Sequence, residues 1–181
     1  DGEPLSLPAR VALVPGLFLG DSGAAASREV LNFLGVSCVV NVSTDLPNYF
    51  EADAGGPSYL RVPIEDIPED GEMLLAHLDS AVAFIEDALA KGRHVLVHCL
   101  MGVSRSASVV IGYIIRTQGM DYDTAVKELR QNRWSVRPNR GFRRALETMT
   151  PHGEQHLFNK RPTAQQAQGA PSRGPSEGAA F

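Results

Sequence analysis

Cysteine is scarce in this chain: there are two, Cys38 and Cys99, 61 positions apart among 181 residues. Two thiols cannot form a disulfide framework, so a reducing compartment is expected, the cytoplasm or also the nucleus. Long apolar runs are missing as well. Runs such as Val109-Val110-Ile111 fall far short of the roughly 20 residues of a membrane span, and none is expected. Neither charge sign dominates, with 17 Lys+Arg against 21 Asp+Glu and a net charge of −4. Bulk attraction to nucleic acid or to a membrane surface is therefore not expected, although a local basic pocket stays compatible with that balance. The chain begins at Asp1 without a basic-then-apolar signal segment, and it has no internal repeat.

What is present is a hydrophobic fraction of 43%, enough for one sizeable core. We expect a polar lead-in over residues 1–10, a folded domain over 11–150, and a disordered tail over 151–181, where Gln, Ala, Gly, Ser and Pro replace any periodic pattern. Pro15-Gly16 interrupts an apolar stretch and predicts a small hairpin over 11–19. Ser27 and Gly35 bracket a short helix as N-cap and stop. The β-branched run over 36–42 fits a strand covered on both faces. Residues 43–58 form a loop, 59–62 a strand and 63–71 an acidic loop. Leu74, Leu75, Leu78, Val82, Ile85 and Leu89 then recur at three- and four-residue steps and predict a helix over 72–91. A strand over 94–98 and helices over 104–118, 121–133 and 139–149 complete the pattern. The alternation implies an α/β fold: a mostly parallel central sheet of about five strands with helices on both faces.

The segment that carries chemistry is Val97-His98-Cys99-Leu100-Met101-Gly102-Val103-Ser104-Arg105-Ser106. A cysteine ends an apolar strand, five residues intervene, and an arginine opens a helix. A loop bending from strand to helix can turn several successive backbone N–H groups inward, and the helix N-terminus adds partial positive charge. Gly102 permits the tight path. Arg105 offers a planar two-pronged donor that matches two phosphate oxygens. The product is a cradle for one phosphate dianion with the Cys99 sulfur at its base, in a field that favours a charged, nucleophilic sulfur. A chance His-Cys-x2-Gly-x2-Arg-Ser in a chain of this length is rare, on the order of 1 in 10⁵.

This segment resembles the signature loop of the cysteine-based protein phosphatases. Ser104-Arg105-Ser106-Ala107-Ser108, Arg137-Pro138-Asn139-Arg140-Gly141-Phe142, Leu13-Val14-Pro15-Gly16-Leu17-Phe18-Leu19-Gly20, and Gly35-Val36 through Asn41-Val42-Ser43 are similar to the dual-specificity branch. The similarity covers roughly residues 10–150, and the chain is expected to be one of the small atypical members without a preceding rhodanese-like module. The resemblance implies a protein-tyrosine-phosphatase-like fold and hydrolysis of phosphotyrosine, phosphoserine or phosphothreonine through a phosphocysteine. It makes Cys99 the nucleophile and Arg105 the phosphate clamp, and it gives the N–H groups of Leu100, Met101, Gly102, Val103, Ser104 and Arg105 to the phosphate oxygens. Ser106 would assist the departing sulfur, His98 would order the loop and Asn139 would brace it. No metal or other cofactor is implied, and the partner is a phosphoprotein.

The general acid comes in that family from a loop about thirty residues before the cysteine. Val62-Pro63-Ile64-Glu65-Asp66 points to Asp66, 33 positions upstream of Cys99, with Glu69 and Asp70 as rivals and Asp70 also a candidate helix cap. Leu100, Met101 and Val103 are not basic, which favours a single phosphate on a protein side chain over a polyphosphorylated lipid. Two other readings stay open: a phosphate-binding scaffold without turnover, and a phosphatase for a non-protein substrate. Tyr49 and Phe50 are expected to anchor their loop. Cys38 is expected in the core, or alternatively as a resolving thiol, and the sequon at Asn41 to be silent. His152 and His156 lack a metal-ligand context. Arg130, Arg133, Arg137, Arg140, Arg143 and Arg144 are expected to be mostly solvated, or else a surface attracting acidic residues near the phosphosite. Trp134 is expected to pack at the turn between the last two helices.

Overall fold

A computed structural model describes residues 6–149; the tail and His152 and His156 lie outside the described residues. Five strands form one sheet in the order β1-β2-β5-β3-β4: β1 (Ala9–Arg10), β2 (Leu17–Gly20), β3 (Val36–Asn41), β4 (Ser58–Arg61) and β5 (His94–His98). Only β1 runs antiparallel, and β5 lies between β2 and β3 in parallel register. The hairpin exists, but its first strand is Ala9–Arg10, inside the stretch expected as a lead-in. Residues 11–14 instead turn back, Val11 and Val14 packing inward while the Val14 N–H donates to the Val11 carbonyl at 2.9 Å.

Side chains alternate across the sheet as the two-residue strand period demands. Phe18, Val39 and Leu96 point to one face, where they meet Ala25 and Leu31 of α1 (Ser22–Ala26) and α2 (Arg28–Leu34). Leu17, Leu19, Cys38, Val40, Val95 and Val97 point to the other and join the larger cluster. That layer holds α3 (Gly71–Ala90), α4 (Arg105–Gln118), α5 (Tyr122–Arg130) and α6 (Arg140–Glu147). Helix α4 is buried without a break from Ser106 to Ile115, which explains its apolar sequence. The Ser27 cap and left-handed Gly35 stop of α2 form as expected. The unexpected element is α1, whose five residues are too few for a periodic signal. Asp21 starts it by accepting the Ala24 N–H at 2.9 Å.

Cys38 is fully buried and pairs with Val95 in register. Cys99 lies four residues beyond Val95, roughly 13 Å along a strand, so Cys38 is a core residue out of reach as a resolving thiol. Burial also pushes its thiol pKa up. Asn41 is equally buried and spends its amide on Leu46, Pro47 and Asn48, which leaves no acceptor nitrogen for a glycan. Among the described residues no helix is long and apolar enough to cross a membrane.

Candidate active site

In an open parallel sheet the strand order reverses at one point, and a crevice forms beyond the carboxyl ends there. Here that point is β5: the chain leaves β3 for the edge strand β4 and returns through α3 to the centre of the sheet. Cys99 follows the last residue of β5 and Arg105 opens α4. The loop between them is the predicted cradle.

Its conformation is fixed by where the carbonyl groups go. The Leu100 carbonyl accepts the Ser22 N–H at 3.1 Å, and the Val103 carbonyl accepts the Arg137 N–H at 2.8 Å. Arg133 holds the two between them, its Nη2 donating to Met101 at 3.0 Å and its Nε to Gly102 at 2.9 Å. In a trans peptide the next N–H points opposite to the carbonyl. Four outward carbonyls therefore turn the N–H groups of Met101, Gly102, Val103 and Ser104 the other way. The Gly102 N–H donates to Cys99 Sγ at 3.2 Å, and the Ser106 hydroxyl donates to the same sulfur at 3.1 Å. Gly102 has φ +66°, and a Cβ there would stand 2.5 Å from the Gly20 carbonyl oxygen, so only glycine fits. Cys99 is 2% exposed.

Arg133 is the functional residue the sequence did not single out. It was expected among solvated arginines, yet its side chain is 16% exposed and also lies 3.6 Å from the Asp21 carboxylate. It sits 31 positions from Gly102, and no local pattern marks it. Arg130 donates to the Val136 carbonyl at 2.9 Å, Arg143 pairs with Glu147, and Arg137, Arg140 and Arg144 are exposed. Trp134 does not pack at its turn; it is 86% exposed.

The acidic loop reaches the cradle through Asp66. Its Oδ1 accepts the Ser104 hydroxyl at 2.6 Å and the Asn139 side-chain N–H at 2.9 Å. Asn139 caps α6 with its Oδ1, and its own backbone N–H donates to the Ser104 oxygen at 3.1 Å. Asn139 thus contacts both Ser104 of the loop and Asp66. Asp70, the rival acid, accepts the Glu65 N–H at 2.6 Å and makes no side-chain cap to α3, so it pins the acidic loop from within. Glu69 is exposed and makes no hydrogen bond to the cradle. The loop also rests on α6 by direct backbone contact, since a Cβ on Gly141 would fall 1.8 Å from the Pro68 carbonyl oxygen.

Beneath the cradle His98 is fully buried, its ring 6.4 Å from that of Tyr49, and neither ring nitrogen has a hydrogen-bond partner. Burial pushes its pKa down from 6.5 to about 4, with the Cys99 backbone opposing the shift. The ring is neutral near pH 7 and adds no charge under the sulfur. Phe50 packs with Tyr49 on the second cluster and its N–H donates to the Tyr59 hydroxyl at 3.2 Å, so both aromatics anchor their loop. The Arg105 Nε is buried and has no hydrogen-bond partner. Among the described residues no group of three or more His, Cys, Asp or Glu is placed to hold a metal ion.

The family model described as "Dual specificity phosphatase, catalytic domain" matches residues 17–150. Dual specificity protein phosphatase Mpk3 of Drosophila melanogaster is 38% identical over 139 residues, 76% of this chain and 33% of its own length. The chain thus spans about a third of that relative. Among solved structures, human DUSP28 is similar at a TM-score of 0.70 and 37% identity, covering 81% of this chain and 93% of that one. A mouse putative dual specificity phosphatase complexed with zinc tungstate is similar at 0.71 and 38%, covering 81% and 87%.

Proposed function

The chain belongs to the dual specificity phosphatase family, and from that premise we propose that it hydrolyses phosphotyrosine and phosphoserine or phosphothreonine in proteins through a phosphocysteine. The observation that carries this reading is the pair of hydrogen bonds on the Cys99 sulfur, from Gly102 and Ser106, at the base of a loop whose four carbonyls face away. A thiolate held this way faces the phosphorus of a dianion bound by the inward N–H groups and by Arg105. Sulfur attacks phosphorus, an S–P bond forms, and the bond to the side-chain oxygen breaks. Asp66 gives its proton to that leaving oxygen. Both bonds to Asp66 end on Oδ1, which leaves Oδ2 to carry the proton. Water then attacks phosphorus, the Asp66 carboxylate takes the water proton, and the S–P bond breaks. The Ser106 hydroxyl stabilises the thiolate that re-forms.

Leu100 and Met101 are 51% and 68% exposed beside the cradle. An apolar rim suits a protein side chain better than a polyphosphorylated headgroup. A reactive free thiol also suits the cytoplasm or nucleus.

Turnover of a small aryl phosphate tests the chemistry. It should persist with excess chelator and fall at least about a thousandfold in Cys99→Ser. Turnover abolished by chelator, or retained in Cys99→Ser, overturns the reading.

A further inference from the structure

The turn between α5 and α6 forms a groove of about 470 Å³ lined by Val103, Arg130, Trp134, Ser135, Val136 and Arg137. We propose that this groove binds acidic side chains flanking the phosphoresidue of the substrate protein; the inference rests on the phosphatase reading above.

Position is the first support. Val103 belongs to the cradle and lines the groove, and the Arg137 N–H is bonded to the Val103 carbonyl at 2.8 Å. Because Val103 is shared, residues next to a phosphoresidue seated in the cradle pass beside this groove as an extended chain advances about 3.3 Å per residue. Charge is the second. Two guanidinium groups line the groove and no carboxylate does. Arg130 spends only Nε, on Val136, and neither Arg130 nor Arg137 pairs with a carboxylate among the described residues. Their neighbours are engaged: Arg133 clamps the cradle and Arg143 pairs with Glu147.

The third support is Trp134, 86% exposed beside those cations. Tryptophan and arginine together are enriched at the centres of protein interfaces, where the ring covers apolar stem and the cation meets charge. A free inorganic anion would gain nothing from the indole. A carboxylate on a peptide stem gains from both.

The chain has a single tryptophan, so intrinsic fluorescence reports on the groove directly. In wild-type protein at low salt, a phosphotyrosyl peptide with Asp or Glu two and three residues from the phosphosite should show kcat/KM about three- to tenfold above the matching Ala peptide. Both flanks are tried separately, and the preference should shrink at high salt. Arg137→Glu should remove or invert the ratio, while Arg137→Lys should keep most of it. The acidic peptide should shift Trp134 fluorescence at lower concentration than the Ala peptide. Equal kcat/KM for both peptides, with the aryl phosphate still turned over, overturns the groove assignment and leaves the chemistry standing. Absence of aryl phosphate turnover overturns the chemistry, and the fluorescence titration still decides the groove. A basic or neutral peptide shifting the fluorescence as strongly as the acidic one also overturns the assignment.

Discussion

Two segments, the cradle around Cys99 and the acidic loop, meet at Ser104, and they are held in different ways. The cradle is tied by four carbonyl bonds, one to α1, one to Arg137 in the turn after α5 and two to the clamp Arg133, and by a glycine that admits no side chain. The acidic loop rests on α6 at Pro68, but its carboxylate at Asp66 is exposed and held by two side-chain bonds, from Ser104 and Asn139, with Asp70 bracing Glu65. The cradle must present N–H groups in fixed directions to a fixed charge, which favours a preorganised frame. Under the proposed function the acid has to meet leaving groups of different size, and an exposed carboxylate held only by side-chain bonds can do that.

The contrast is broken most directly at Gly102. Gly102→Ala places a methyl group against Gly20 and Arg133, and turnover of every substrate should fall about a hundredfold or more, together with affinity for an oxyanion such as tungstate. Retained oxyanion binding in a folded Gly102→Ala protein would remove the frame from the account.

A milder change sharpens the comparison at the other segment. Asn139→Ala removes one of two tethers on Asp66, and the rate should fall about tenfold on an alkyl phosphate and much less on an activated aryl phosphate, whose leaving oxygen needs little help. Oxyanion affinity should stay within about twofold. An equal loss on both substrates would mean that Asn139 acts on the cradle instead.

The smallest effect concerns the floor beneath both. The folded pKa of His98, about 4, lies below its ordinary value of 6.5, so the unfolded chain takes up the proton first. Stability should fall as pH drops from about 6.5 towards 4 and level off below, by up to about 3 kcal/mol from this group. Urea melts of wild type and His98→Gln across that range should show a flatter slope in the variant. Parallel slopes would assign the acid sensitivity elsewhere.

The same contrast explains what was legible in the sequence. Residues 98–106 are contiguous, and a cysteine after an apolar strand, a glycine at the tight turn and an arginine opening a helix mark the bend, so the path of the cradle was legible in the chain alone. The parallel strands and α3 were equally plain, because burial on two faces and on one face leave different periods. Asp66 was narrowed to one loop by similarity, but its tethers come from Ser104 and Asn139, 38 and 73 positions away. Arg133 had no local mark at all, since an arginine in solvent and an arginine clamping two carbonyls have the same sequence surroundings. Short elements failed for a simpler reason: α1 and β1, with five and two residues, end before a periodic pattern can repeat.

At Gly141 the backbone of α6 lies directly against Pro68, with no side chain between. Where the acidic loop that carries Asp66 rests on α6, the stop is therefore main chain on main chain, indifferent to rotamers. A single methyl group added there would act as a wedge between the acidic loop and α6, displacing Asp66 while the cradle keeps its path, and under the proposed function capture of phosphate and protonation of the leaving oxygen would become separable at one carbon atom.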